Sequence, residues 1–222
     1  MKNNKSLVVF SGGQDSTTCL KWAINRYKNV EAITFNYKQR HSVEVEQSTI
    51  ICNQLDINQI IVDINFLDVL CESALLQQNT NINDNHIHNN TLPASFVPNR
   101  NALFITLAHS YAQKIQAQDI IIGTCQTDYS GYPDCRDVFI QSLQATLNLG
   151  ADADINLLTP LTKLTKSQTF KLAATENVLD LVLKYSHSCY EGSSILNEWG
   201  RGCGTCNACK LRLRGWNEYK ES

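Results

Sequence analysis

The chain has 222 residues, of which 43% are hydrophobic and 18% charged, and its net charge is −2. That length and balance suit one globular domain with a small appendage. The weak charge excludes the broad basic field that wrapping a long nucleic acid requires, and no apolar run approaches the ~20 residues of a membrane span.

The first apolar run, Leu7 to Phe10, stops at Ser11-Gly12-Gly13 and is too short for a signal-peptide core, so a cytoplasmic protein is expected. Leu7-Val8-Val9-Phe10 reads as a buried strand. Ser16 to Tyr27 then places Leu20, Ala23, Ile24 and Tyr27 at helical spacing. Val30 to Phe35 is a second strand, followed by the polar turn Asn36 to His41 and a helix whose apolar face includes Val43, Ile50, Ile51 and Leu55. Ile60 to Ile64 is a third strand. Residues 77–95 are rich in Asn and read as an exposed loop. A helix from Asn101 to Gln116, a strand at Ile120–Ile122, and helices from Val138 to Leu147 and Lys166 to Glu176 complete the alternation. Such alternation predicts βαβ units: an α/β, three-layer α/β/α Rossmann-like fold with a parallel sheet over residues 1–185. Residues 186–222, rich in Gly and Cys at their start, form a separate small lobe. Ligands of such sheets bind beyond the carboxyl ends of the strands, where the motifs below fall.

The first strand runs into Ser11-Gly12-Gly13-Gln14-Asp15-Ser16 and then a helix. Two glycines let the backbone approach an anion, and the N–H groups at the helix start point at phosphate oxygens. Ser11 and Ser16 add hydroxyls, and Asp15 is a candidate partner for a metal–nucleotide complex. No lysine follows the glycines, so the loop is not the type that holds outer phosphates for γ-transfer. It suits a departing pyrophosphate, with attack at the α-phosphorus. The string resembles the SGGxDS signature of the ATP pyrophosphatase (PP-loop) family.

Nine cysteines are many for a reducing compartment, and their odd number argues against a disulfide framework. Cys203, Cys206 and Cys209 form C-x2-C-x2-C, with Cys189 upstream. Four thiolates close a tetrahedral structural zinc site. An iron–sulfur cluster is the competing reading, although the usual x3-C-P continuation is missing after Cys209. Cys19, Cys52 and Cys71 read as core, while Cys125 and Cys135 flank a polar loop.

That loop, QTDYSGYPDCR from Gln126 to Arg136, follows the Ile120–Ile122 strand. Asp128 and Asp134 are candidate acceptors for a donor edge such as an amidine, and Tyr129 or Tyr132 for stacking on a flat heterocycle. Arg100 in Val97-Pro98-Asn99-Arg100-Asn101 suits neutralisation of phosphate charge. Lys163 and Lys166 in PLTKLTK are within reach of phosphate.

Together FSGGQDSTT, FNYKQRH, VPNRN, DYSGYPDCR, PLTKLTK, SCY and CGTCNAC, in order from Phe10 to Arg212, resemble the queuosine-pathway, nitrile-forming family of 7-cyano-7-deazaguanine synthases. The resemblance implies an adenine nucleotide alpha hydrolase-like fold and an ATP-dependent ligase that turns 7-carboxy-7-deazaguanine and ammonia into the nitrile through adenylated intermediates. It implies ATP with Mg²⁺, structural zinc on Cys189, Cys203, Cys206 and Cys209, a homodimer, and neither nucleic acid nor membrane as partner. Carried over position by position, Phe10, Ser11, Gly12, Gly13, Gln14, Asp15, Ser16, Thr17, Thr18 and Lys163 bind ATP. Arg100, Asp128, Tyr129, Asp134 and Arg136 bind the substrate. Ser11, Asp15, Ser16 and Arg100 serve catalysis. Lys38 and Asn99 stand where the pattern expects Gly, and the loop from Cys189 to Cys203 is long. Two other functions stay open: a tRNA thiolation enzyme on the same ATP fold, with Cys125 or Cys135 carrying sulfur, and a nucleic-acid zinc module using Lys210, Arg212 and Arg214.

Overall fold

A computed structural model describes residues 5–37, 43–70, 73–76, 85–86, 89–126 and 132–222. In chain order its elements are β1 (Lys5–Val9), α1 (Gln14–Ile24), β2 (Asn29–Asn36), α2 (Val43–Gln54), β3 (Asn58–Asp63), α3 (Leu67–Leu70), β4 (Asn85–His86), β5 (Asn89–Pro93) and α4 (Arg100–Ile115). Then come β6 (Asp119–Ile122), a 3-10 turn (Pro133–Cys135), α5 (Asp137–Ala151), β7 (Asn156–Leu158), α6 (Lys166–Thr175), α7 (Leu179–Tyr185), β8 (Leu196–Asn197), β9 (Gly200–Arg201) and α8 (Asn207–Lys220).

Five strands make one parallel sheet in the order β3-β2-β1-β6-β7. Strand side chains alternate between faces, and both faces of the central strands are dry. Leu7, Ile33 and Ile120 pack one way, against Ile105 and Ala108 of α4 and Ile140 of α5. Val8, Ala32 and Ile121 pack the other way, against Cys19 and Leu20 of α1 and Ile51 and Cys52 of α2. The expected three layers are thus present, and Cys19 and Cys52 are core residues. Cys71 lies outside the described residues.

Four differences from the sequence reading have local causes. β7 has three residues, too few to show a period. α7 has seven residues, too few for a clear helical period, and α8 starts at the Cys-rich turn, which masks its pattern. Part of the 77–95 stretch lies outside the described residues, but β4 and β5 within it pair antiparallel, and Ala94 and Ser95 are buried. The Asn-rich composition hid that pairing.

Residues 186–222, expected as a separate lobe, share a core with the helices beside the sheet. Phe170 of α6 meets Trp216 of α8 edge-on at 5.2 Å, and both belong to one cluster with Val178 and Val182. Arg212 is 2% exposed, and its guanidinium donates to the carbonyls of Trp199 (2.8 Å), Ser186 (3.3 Å) and Val182 (3.0 Å). A buried cation so enclosed ties the lobe to the end of α7. Burial lowers its pKa to about 10, which still leaves it charged. Among the described residues no helix is long and apolar enough to cross a membrane.

Candidate active site

Sheet order reverses between β1 and β6, and a cavity of about 850 Å³ opens beyond their carboxyl ends. Two groups of residues wall it.

The first wall is the turn from β1 into α1. Gly12 has φ +81°, and a side chain there would meet the Glu44 carbonyl at 2.7 Å and the Ser48 nitrogen at 2.9 Å. Only glycine permits that conformation and that approach to α2. The following N–H groups start α1 with Gly13 as N-cap residue, which has no side chain to offer. Hydroxyls gather instead. Ser11 Oγ lies 3.1 Å from Ser16 Oγ and accepts the Gly13 N–H at 3.4 Å, while the Ser11 N–H donates to Ser16 Oγ at 3.3 Å. Asp15, next to them, forms a two-pronged ion pair with Lys166, with Nζ 2.7 and 3.0 Å from its carboxylate oxygens.

The second wall is built of ionisable side chains. Arg100 opens α4; it donates to the Tyr37 hydroxyl at 3.3 Å and lies over that ring at 5.8 Å. Burial works against its charge, but Tyr37, Tyr132, Asp134 and Tyr190 together raise its pKa above the usual arginine value. Glu44, on the first turn of α2, also lines the cavity. Burial raises its pKa to about 7, opposed by Arg100 and reinforced by Cys189. Tyr37 and Tyr190 are raised by burial as well.

Of the residues singled out in the sequence, Phe10, Ser11, Gly13, Gln14, Asp15, Ser16 and Arg100 line this one cavity. Gly12, Thr17 and Thr18 do not. Thr17 and Thr18 are fully buried, and their hydroxyls donate to the Gly13 and Gln14 carbonyls, at 2.8 and 3.0 Å. They shape the loop from behind. Lys163 is exposed and outside the lining, whereas Lys166, three residues on, is buried in it. Asp134 caps α4 from a distance, accepting the Asn101 N–H at 3.1 Å on one oxygen; its other oxygen is buried without a partner among the described residues. Burial raises its pKa, against the Asn101 hydrogen bond. Arg136 is exposed and outside the lining. Asp128 and Tyr129 lie outside the described residues.

Glu44, Thr124 and Ser188 also line the cavity and were missed. The Thr124 hydroxyl is buried without a partner. Glu44 sits in a helix with only a weak apolar face, where Ile51 and Cys52 are buried but Ile50 is exposed, and nothing in its neighbourhood advertised it. Ser188 stands beside a metal-type cysteine, which was the available signal.

The sulfurs of Cys189, Cys203, Cys206 and Cys209 all lie within 4.8 Å of one another. A single ion with bonds of about 2.3 Å fits such a group. Thr205 and Cys206 N–H groups donate to Cys203 Sγ at 3.4 and 3.3 Å, and the Thr205 hydroxyl does so at 3.3 Å. The Cys189, Cys206 and Cys209 thiols share hydrogen bonds that lower the pKa of Cys189 and raise those of Cys206 and Cys209. The donors on Cys203 favour its thiolate. Gly202 lets the loop close, since a Cβ there would meet Cys209 Sγ at 2.5 Å.

A lysine-free phosphate cradle at the switch point of a parallel sheet defines a PP-loop protein of the ATP-using kind. A solved 4-thiouridine synthetase–RNA complex with bound ATP shares this fold, with a TM-score of 0.55 at 14% identity, covering 98% of this chain and 51% of that one.

The family model for queuosine biosynthesis protein QueC matches residues 5–220, and the chain belongs to that family. It is 54% identical to the 7-cyano-7-deazaguanine synthase of Wolinella succinogenes, across 100% of this chain and 96% of that one. It is 47% identical to the enzyme of that name from Helicobacter pylori strain HPAG1 (99% and 97% covered) and 48% identical to that of Lysinibacillus sphaericus (99% and 97%). These full-length matches do not favour the thiolation reading. The burial of Arg212 removes one of the three cations on which a nucleic-acid module would rely.

Proposed function

We propose that this chain converts 7-carboxy-7-deazaguanine and ammonia to 7-cyano-7-deazaguanine at the expense of two ATP. The observation that carries the reading is the meeting of a lysine-free phosphate cradle and an Arg100–Glu44–tyrosine wall in one cavity of a QueC-family chain.

In the first stage the substrate carboxylate attacks the α-phosphorus, giving an acyl-adenylate and pyrophosphate. Ammonia displaces AMP and leaves the amide. In the second stage the amide oxygen attacks a second ATP in the same way. Loss of AMP and of both N–H protons then forms the nitrile. Both stages place negative charge on departing pyrophosphate, so one cradle serves twice. Ser11, Ser16 and the Gly13 N–H hold that charge, and Lys166 and Arg100 neutralise it from either side. Mg²⁺ would screen the triphosphate, and Asp15 is the cradle carboxylate placed to hold it. Asp128, Tyr129, Asp134 and Arg136 remain the proposed readers of the deazaguanine, with Asp134 acting through its unpartnered oxygen. Gly12, Thr17 and Thr18 support the ATP loop, and Lys163 is proposed at its margin.

The proposed ion is zinc, saturated by four thiolates and therefore structural rather than catalytic. A cytoplasmic homodimer completes the proposal, and sedimentation would read the dimer.

Mass spectrometry of a reaction with 7-carboxy-7-deazaguanine, ammonia, Mg²⁺ and ATP tests the whole. The expected result is the nitrile with two AMP per turnover. An amide as end product with ATP in excess would sink the second stage.

A further inference from the structure

The helix that opens the cradle borrows its cap from the other end of the chain. Gly13 stands at the N-cap and has no side chain, so the first N–H groups of α1 need outside partners. The Gln14 N–H donates to Ser188 Oγ at 3.2 Å, across 174 positions of sequence. Beside it, the His187 N–H donates to the Gly12 carbonyl at 3.0 Å. A Cβ on Gly13 would meet Ser188 Oγ at 3.3 Å and the His187 carbonyl at 3.6 Å. Residues 187–188 are thus pressed against the cradle from the lobe side, and both line the cavity.

A hydroxyl has one proton and two lone pairs. Ser188 spends a lone pair on Gln14, and its proton has no protein acceptor among the described residues. Ser11 and Ser16, which line the same cavity, can use both their protons within the loop, Ser11 donating to Ser16 Oγ at 3.1 Å and Ser16 to the Gly13 carbonyl at 3.2 Å. Ser188 is therefore the hydroxyl of this wall with a donor to spare, at the start of a helix whose dipole favours an anion.

We propose that Ser188 is a phosphate-contacting residue of the ATP site, donating its hydroxyl to a phosphoryl oxygen held by the cradle. The Cys lobe then completes the nucleotide site as well as folding against it. The assignment rests on the ATP-using reading above.

The test is calorimetric binding to the metal-loaded protein, with pyrophosphate, α,β-methylene-ATP and adenosine as probes. Ser188→Ala is expected to weaken both phosphate-bearing probes roughly ten- to a hundredfold and to leave adenosine unchanged. A residue that only capped the helix would give the opposite sign. Its removal frees the Gln14 N–H for phosphate, so affinity would hold or rise, and that result overturns the proposal. Should the alanine variant fold poorly, Ser188→Thr and Ser188→Val decide. They have the same shape and differ in the hydroxyl, so equal affinities would overturn the assignment and a tenfold gap would support it. If the wild-type protein binds neither phosphate probe, the ATP-site reading itself has failed.

Discussion

The two walls of the cavity are made of different material. The cradle offers main-chain N–H groups and short hydroxyls, held by Gly12 against α2 and by residues 187–188. The second wall offers Arg100, Glu44, Tyr37 and Tyr190, long side chains drawn from four separate parts of the chain. The first wall offers small donors set by loop geometry rather than by long side chains. The second can be specific, because each group is chosen singly and tuned by burial.

The broadest way to break that comparison is to take away what fixes both walls at once. Chelation of the lobe metal, or Cys206→Ser, is expected to loosen residues 187–190, which touch the cradle through Ser188 and the second wall through Tyr190. Metal affinity here is folding free energy. The melting temperature should fall by more than about 10 °C, since several kcal/mol move a domain of this size that far. Calorimetry with and without chelator checks it. An unchanged melting temperature would mean the lobe folds without its ion.

Gly12→Ala acts on the cradle and on Glu44 behind it. A methyl at φ +81° meets backbone atoms of α2 at 2.7 and 2.9 Å, and backbone cannot swing aside. The expected loss is about 3 kcal/mol of stability in urea unfolding, with phosphate binding lost alongside.

Gly215→Ala separates charge from loop geometry. Its Cβ would meet Lys166 Cβ and Cγ at 2.6 Å, pushing the lysine stem off the line that reaches Asp15. The Ser11–Ser16 cradle lies on a different element. Turnover should fall ten- to a hundredfold while adenosine binding holds, as expected for a misplaced charge. Steady-state kinetics beside adenosine calorimetry reads this out.

Glu44 sharpens the contrast through pH. Its pKa rises from 4.5 to about 7 on folding, with burial the main cause. The native state therefore holds a proton that the unfolded chain has released, between about pH 4.5 and 7. Fewer protons on the unfolded state mean that stability falls as pH rises through that window. The ceiling is about 3 kcal/mol, from the size of the shift. Glu44→Gln should remove this slope, so its unfolding free energy gains on the wild type at pH 8 more than at pH 5. Parallel slopes for the two proteins would show that Glu44 is not held protonated.

These differences explain what the sequence could and could not reveal. The parallel sheet was legible because Leu7, Val8, Ile33, Ile120 and Ile121 repeat one pattern, strand after strand. The cradle was legible because its ligands are consecutive and demand glycine. The cysteine site was legible from spacing alone. Lys163 and Lys166 were both in view, but only Lys166 lines the cavity. The repeated Thr-Lys made them look alike, and the start of α6 turns Lys166 inward. Glu44 and Ser188 were hidden, since each reaches the cavity only through an approach across the fold. The second role of Asp134, capping α4 from 33 residues away, was hidden because no local pattern reveals it.

Asn99 gives the smallest effect. It stands where glycine is expected, and it caps α4 with φ +57° and ψ +19°, in the left-handed region. Its side chain makes no capping bond, because Asp134 fills that role. Glycine reaches this conformation without strain, and asparagine tolerates it better than other L residues. Asn99→Gly should therefore relieve backbone strain, but it also loosens the unfolded chain, which offsets part of the gain. The net expectation is a gain of about 0.5 kcal/mol, whereas Asn99→Ala should lose about 1 kcal/mol. Urea midpoints at fixed slope resolve both signs. The pair tests whether α4, and with it Arg100, is positioned by backbone conformation at residue 99 or by Asp134 alone. If neither substitution moves the midpoint, the carboxylate cap by itself holds the helix that carries the second wall.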